Sequence, residues 1–242
     1  MNELVPKEQI KFRIARRIAR EFMSWNRTLV INLGVGTPTL VADYIDSPRI
    51  FIQAENGMLG VGPKAIGPGA DPRIINAGRE VVTQTPGCCY FDSATSFGMI
   101  RGGHIDATVI GAFEVDESGS IANWIIPNGR QLGVGGAMDL VTGARQVIVA
   151  LRHTGSDGSP KLVRSCSLPI TGFHEADMVV TELAVFRFEN RRMILTELAP
   201  EIDLDGLRAV TAAQFDVSPQ LTVMPVDLER SPHAPAAEVT AL

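Results

Sequence analysis

Apolar residues recur every four positions near the start of the chain, at Ile10, Ile14, Ile18 and Phe22, which places them on one face of a helix. Pro6 suits the first turn of that helix. Its other surface, with Lys7, Lys11, Arg13, Arg16, Arg17 and Arg20, reads as a solvated basic face. The pattern then changes. Short runs rich in β-branched residues alternate with helix-like stretches, as in a mostly parallel sheet covered by helices. Residues 28–33 predict a strand that runs into Gly34-Val35-Gly36. Thr37 then suits an N-cap and Pro38 the first position of a helix carrying Leu40, Val41, Tyr44 and Ile45 into the core. Residues 50–53 predict the next strand, ending at Glu55-Asn56-Gly57. Further strands are expected at 107–113, 146–151, 178–188 (more than one element) and 193–198, with a closing helix at 203–213. No linker divides the chain, so residues 1–230 are expected to form a single α/β domain. Residues 231–242, rich in Pro and Ala, read as a loose tail.

Glycines cluster where strands are expected to end: Gly34/Gly36, Gly57/Gly60/Gly62, Gly102/Gly103 and Gly133/Gly135/Gly136. In open α/β sheets, ligands bind beyond the carboxyl ends of strands, where backbone must approach them closely. Together the loops suggest a composite site for a large phosphorylated ligand. Gly34-Val35-Gly36 lacks the third glycine of a dinucleotide fingerprint, and no GxxxxGK[ST] loop occurs.

Composition narrows the classes. The 242 residues are 45% hydrophobic and 20% charged, which excludes a disordered chain. A net charge of −5 argues against a nucleic-acid surface or an electrostatic membrane anchor, and no apolar run approaches the ~20 residues of a spanning helix. Glu3, Glu8 and Glu21 interrupt the basic N-terminal stretch, unlike an organelle transit peptide. Three cysteines, two adjacent at Cys88 and Cys89, make no disulfide framework and read as small core residues. A soluble, cytoplasmic protein is the expectation.

The four histidines, at 104, 153, 174 and 233, have no metal-ligand spacing, so no metal site is expected; His174-Glu175 reads as surface loop. In His104-Ile105-Asp106, strand alternation would put the two polar side chains on one face, where a structural hydrogen bond suffices. No GxSxG elbow is present. Glu55 is the more distinctive candidate: it follows an apolar strand and precedes Asn56-Gly57, a turn pair that exposes its carboxylate at the sheet's end. A carboxylate ionised at neutral pH can act as a nucleophile without a general base. From spacing alone, a capping or surface role remains open.

The surrounding motifs add a resemblance. Asn32-Leu-Gly-Val-Gly36-Thr-Pro38, Gln53-Ala-Glu55-Asn-Gly57-Met-Leu-Gly60-Val-Gly62-Pro63 and Asn76-Ala-Gly-Arg79 occur in order. They are followed by Phe91-Asp-Ser93, Ser96-Phe-Gly-Met-Ile-Arg101-Gly-Gly-His104, Ala122-Asn-Trp124-Ile-Ile-Pro127 and Gly135-Gly-Ala-Met-Asp139-Leu. The series resembles the β (B) subunit of the 3-oxoacid CoA-transferases from about Lys7 to about Val223. The resemblance implies a three-layer α/β/α fold with one mostly parallel sheet, shared with sugar-phosphate isomerases. It also implies ping-pong transfer of CoA between short-chain carboxylic or 3-oxo acids. Glu55 would be the nucleophile, the Gly135-Gly136 backbone the oxyanion support, and Asn32 a further donor to the same oxygens. Arg79 stands where the family usually has a lysine that meets the CoA phosphates; Gly34, Gly36, Asn56 and Gly57 would line the substrate and CoA site. CoA would be a substrate and no cofactor would be required. A separate α subunit, in an α2β2 assembly, is the implied partner.

Three departures from the family pattern stand out. Ala54 replaces the usual serine, Gly129 and Leu132 stand where lysines are common, and Leu151-Arg152 replaces an acidic residue before His153. An acyl-CoA hydrolase on the same scaffold and a non-catalytic acyl-CoA-binding regulatory module are the alternative readings. An exposed nucleophile at Glu55 argues against the second.

Overall fold

The computed structural model describes residues 4–126, 130–131 and 133–226. The tail expected at 231–242 and the departures at Gly129 and Leu132 lie outside the described residues. The chain opens with α1 (Lys7–Ser24), β1 (Leu29–Leu33), a 3-10 helix (Thr37–Tyr44), β2 (Ile50–Ala54), β3 (Met58–Lys64), β4 (Val82–Tyr90) and α2 (Ser93–Arg101). It continues through β5 (Ala107–Gly111), β6 (Glu114–Asp116), β7 (Ile121–Ala122), β8 (Ile125–Ile126), β9 (Arg130–Gln131), α3 (Ala137–Gly143) and β10 (Val147–Ala150). The last elements are β11 (Leu162–Val163), β12 (Met178–Val180), β13 (Ala184–Glu189), β14 (Arg192–Leu198), α4 (Leu204–Ala209) and β15 (Asp216–Val223).

Ten strands form the main sheet, in the order β15-β14-β13-β12-β10-β5-β1-β2-β3-β4. Its centre, β2-β1-β5-β10-β12, is entirely parallel. Antiparallel β3 and β4 extend one side; β13 and β14 extend the other, with β15 parallel to β14. Two faces follow from strand alternation. Leu29, Ile31 and Leu33 pack with Ile10, Ile14, Ile18 and Phe22 of α1, whereas Val30 packs with Ile100 of α2 and Leu140 of α3. The sheet therefore lies between a layer made by α1 with the 3-10 helix and a layer made by α2 with α3. Full burial of each large apolar side chain on α1 stabilises by roughly 1.5–3 kcal/mol.

Several expectations need correction. The segment after Gly36 is a 3-10 helix, and Gly36 rather than Thr37 occupies its N-cap, at φ 90°. Thr39, not Thr37, makes the local side-chain bond, donating to the Gly34 carbonyl at 3.0 Å. The basic face of α1 is only partly solvated. Arg13 and Arg17 are buried, because Glu21 on α1, Glu197 on β14 and Glu201 supply counter-charges across the packing interface. The closing helix is short and is followed by an unforeseen edge strand, β15; β3, β4, α2 and α3 also lie outside the expected elements. Cys88 is half-buried and Cys89 exposed, since β4 is the other edge of the sheet. Gly102 caps the end of α2 and, with Gly103, precedes the amino end of β5, away from the carboxyl ends of β1 and β2. Gly60 lies inside β3 at φ 93°, where a Cβ would stand 2.9 Å from the Cys88 Cα.

Candidate active site

β1 and β2 are in register at Asn32 and Gln53, so both side chains face the α2 layer beside each other. The Gln53 amide nitrogen donates to Ser96 Oγ at 2.7 Å, and Gln53 Oε1 accepts from Asn32 Nδ2 at 2.7 Å. Ser96 on α2 thereby orients Gln53, and Gln53 orients Asn32. The same Asn32 Nδ2 lies 3.2 Å from Glu55 Oε2. Asn32, Gln53 and Ser96 are each buried, while Glu55 is partly exposed just past β2. A polar chain thus rises from the sheet interior to one carboxylate at the surface. Its buried members have hydrogen-bond partners, which is what makes such a chain tolerable in a core. Asn32 Oδ1 and Thr108 Oγ1, on register-paired residues of β1 and β5, have no partner among the described residues.

The turn that presents Glu55 closes with Gly57 N–H donating to the Ala54 carbonyl at 3.0 Å. Gly57 sits at φ 118°, and a Cβ there would lie 2.1 Å from the Phe91 carbonyl oxygen, so only glycine fits. Asn56 Nδ2 donates to the Ile75 carbonyl at 3.0 Å and ties this turn to the loop carrying Asn76 to Glu80. That loop is closed by Arg79 N–H to the Asn76 carbonyl and by Glu80 N–H to Asn76 Oδ1. A Cβ at Gly78 would lie 3.7 Å from Val35, so the loop also reaches the Gly34–Gly36 turn. Arg79 is exposed on it, at φ 63°. Gly34 donates to the Val109 carbonyl at 2.8 Å, close against β5.

From the other side comes the start of α3. Gly135 adopts φ 54°, and Gly136 is the N-cap residue of α3. A Cβ at Gly136 would stand 3.0 Å from the Phe97 ring and 3.7 Å from Glu55 Cγ. Gly136 therefore lies against Glu55 and Phe97. Asn32, Gly34, Glu55, Asn56, Gly57, Gly136 and the loop of Arg79 belong to one end of the central strands, as expected of a composite site. The residues that sequence reasoning did not assign are Gln53, Ser96 and Phe97. A glutamine inside the apolar strand Ile50-Phe-Ile-Gln53-Ala was the available signal.

The remaining candidates lie elsewhere. Asp106 precedes β5 and accepts from Arg27 and from the Val30 N–H, not from His104, which is exposed. His174 is exposed, with Nδ1 3.2 Å from the Ser118 carbonyl. Among the described residues, no three His, Cys, Asp or Glu side chains gather as a metal-binding group, and no helix is long and apolar enough to cross a membrane. His153 is fully buried between Thr181 and Thr211. Its Nδ1 lies 3.0 Å from Thr181 Oγ1 and its Nε2 2.8 Å from Thr211 Oγ1, so both ring nitrogens are within hydrogen-bond distance of a hydroxyl. Burial pushes the imidazole down to about 4.

Comparison with known proteins agrees with this geometry. Residues 14–209 match the Coenzyme A transferase family. The chain is 48% identical over 219 residues to the β subunit of acetate CoA-transferase from Escherichia coli, covering 90% of this chain and 99% of that protein. It is 45% identical to the β-type (B) subunit of succinyl-CoA:3-ketoacid coenzyme A transferase from Helicobacter pylori, covering 84% of this chain and 97% of the relative. Among solved structures, the acyl-CoA transferase YdiF of Escherichia coli O157:H7, crystallised as a thioester complex with CoA, superposes with a TM-score of 0.68 at 22% identity. That match covers 89% of this chain and 43% of the longer YdiF chain, and at this identity it speaks for the fold. A mostly parallel sheet between helical layers, a carboxylate raised at its carboxyl end and extended identity to named subunits together establish that this chain belongs to the Coenzyme A transferase family.

Proposed function

We propose that this chain is the β subunit of an enzyme that moves CoA between short-chain carboxylic acids, with Glu55 as the covalent nucleophile. The observation that carries the reading is the Asn32–Glu55 contact, fixed from below by Gln53 and Ser96 and roofed by Gly136. In the first half-reaction a Glu55 carboxylate oxygen attacks the carbonyl carbon of the donor acyl-CoA. The C–S bond breaks, CoA leaves as thiolate, and an acyl-glutamyl anhydride remains. The thiolate then attacks the Glu55 carbonyl carbon, displacing the donor acid as its carboxylate and leaving a glutamyl-CoA thioester. The acceptor carboxylate reverses both steps and departs as the new acyl-CoA. No proton is exchanged at any step, so no general base and no resident cofactor are needed.

Each addition puts negative charge on a carbonyl oxygen. Backbone N–H groups at Gly135 and Gly136 and the Asn32 amide would receive it; losing one such donor typically costs about 3–4 kcal/mol. Arg79, on the loop pinned by Asn56, would meet the phosphates of CoA with a planar fork. Binding of that nucleotide end would be used at the distant thioester. The acids would be acetate-like or 3-oxo acids, in line with the names of the relatives at 45–48% identity. Those names also motivate an α-subunit partner; the assembly would be α2β2, with little turnover by the isolated chain.

Oxygen bookkeeping tests the scheme. Each cycle moves one oxygen from the acceptor acid to Glu55 and then to the next donor acid. With an 18O-labelled acceptor, label should appear in the released donor acid and none should come from water. Label drawn from 18O-water would instead identify an acyl-CoA hydrolase.

A further inference from the structure

Away from Glu55, a cavity of about 550 Å³ opens where the loop after β11, the β13–β14 turn and the end of α4 meet. Four arginines from these three segments line it: Arg164, Arg191, Arg192 and Arg208. Only two carboxylates share the wall, and both are already engaged. Asp216 is paired with Arg192 at 2.5 Å, and Glu117 accepts the Gln214 N–H at 2.9 Å. Arg208 lies over the Phe215 ring at 4.9 Å, which holds its guanidinium along the wall. Among the described residues, Arg164 and Arg191 have no ion-pair partner. Arg191 is also held at φ 61°, in the tight turn between β13 and β14. Four guanidiniums against two carboxylates leave an excess of positive charge in a chain whose net charge is −5.

We propose that this cavity is a binding site for a small molecule bearing a diphosphate or triphosphate group, separate from the site at Glu55. Its volume falls within the roughly 300–1,000 Å³ typical of small-molecule pockets. Guanidiniums supplied by three chain segments suit tetrahedral phosphates, whose oxygens accept around the whole group, better than one planar carboxylate. Thr211 on the same wall holds His153, so an occupant would press on a residue tied into the core.

The test is calorimetric titration of the full chain with inorganic pyrophosphate and with ADP at fixed ionic strength. Arg164 and Arg191 are both exposed, so an Arg164→Gln/Arg191→Gln variant should keep the wild-type melting temperature. Its affinity for pyrophosphate should fall by about tenfold or more, roughly one charge-assisted contact's worth. Arg164→Lys/Arg191→Lys should recover part of the loss. An ADP affinity that falls in the double Gln variant as that of pyrophosphate does supports the site. Unchanged affinity in the double Gln variant, citrate binding as tight as pyrophosphate, or no saturable binding at millimolar ligand would each overturn the proposal.

Discussion

The Asn32 amide nitrogen stands 2.7 Å from Gln53 Oε1 and 3.2 Å from Glu55 Oε2, so the side chain that steadies the Glu55 carboxylate is itself held from within the sheet. Because Asn32 and Gln53 are register partners on β1 and β2, this relationship is set by strand pairing and not by a loop. Removing it should affect chemistry more than folding. Asn32→Ala is expected to lower kcat about 100-fold, the scale of one lost oxyanion donor, with the CD spectrum retained. Ser96→Ala, which loses only the 2.7 Å bond that orients Gln53, should cost about 1 kcal/mol, or five- to tenfold in kcat/KM. Equal effects from the two variants would contradict the ordering Ser96, Gln53, Asn32, Glu55.

The glycines near Glu55 should separate into two kinds. At Gly57 a Cβ would meet backbone at 2.1 Å under a left-handed φ, so Gly57→Ala should unfold the turn and lower Tm by several degrees. At Gly136 the obstacle is the Phe97 ring at 3.0 Å, a side chain able to shift. Gly136→Ala should therefore melt close to wild type yet lose most of its transferase activity. Thermal melts beside a thioester assay distinguish the two.

His153 makes stability depend on pH. Its folded pKa of about 4 lies below the ordinary value of 6.5, because burial disfavours the imidazolium. Between these values the unfolded chain binds more protons. The contribution is fully present above about pH 6.5 and is lost as pH falls toward 4, of the order of 3 kcal/mol in all. Urea unfolding at pH 7.5, 6 and 5 should show this decline, and His153→Gln should flatten it. An unchanged slope in the variant would assign the decline to other groups.

The buried cluster that joins α1 to the far half of the sheet should be costly to break. Arg17 donates through Nε to Glu197 at 2.7 Å and pairs with Glu21, which also accepts from Arg187 at 2.7 Å. Burial alone would lower the Arg17 pKa, but Glu197 and Glu21 together raise it. Arg17→Met would leave Glu197 without its partner and Glu21 with Arg187 alone, at a cost of about 3–5 kcal/mol in urea unfolding.

The sequence made part of this legible for physical reasons. The period-four face of α1 and the apolar runs of the central strands depend only on burial, and they appear where expected. β4 and β15 were not legible, because each is a sheet edge with mostly exposed residues and carries a proline, Pro86 or Pro219, within the strand. Arg13 and Arg17 read as surface residues, since the partners that bury them across the interface, Glu201 and Glu197, lie 188 and 180 positions away. Glu55 stood out by its place after an apolar strand. Ser96 did not: a serine in a helix gives no sign that it orients a glutamine 43 residues earlier.

The central claim is that Glu55 becomes the carrier of CoA. The chain, combined with its α partner and an acyl-CoA without acceptor acid, should form a covalent CoA thioester that borohydride reduces. Peptide mass spectrometry should place the reduced residue at position 55, and Glu55→Gln should give neither the adduct nor turnover. An adduct on another residue, or full transferase activity in Glu55→Gln, would contradict the account.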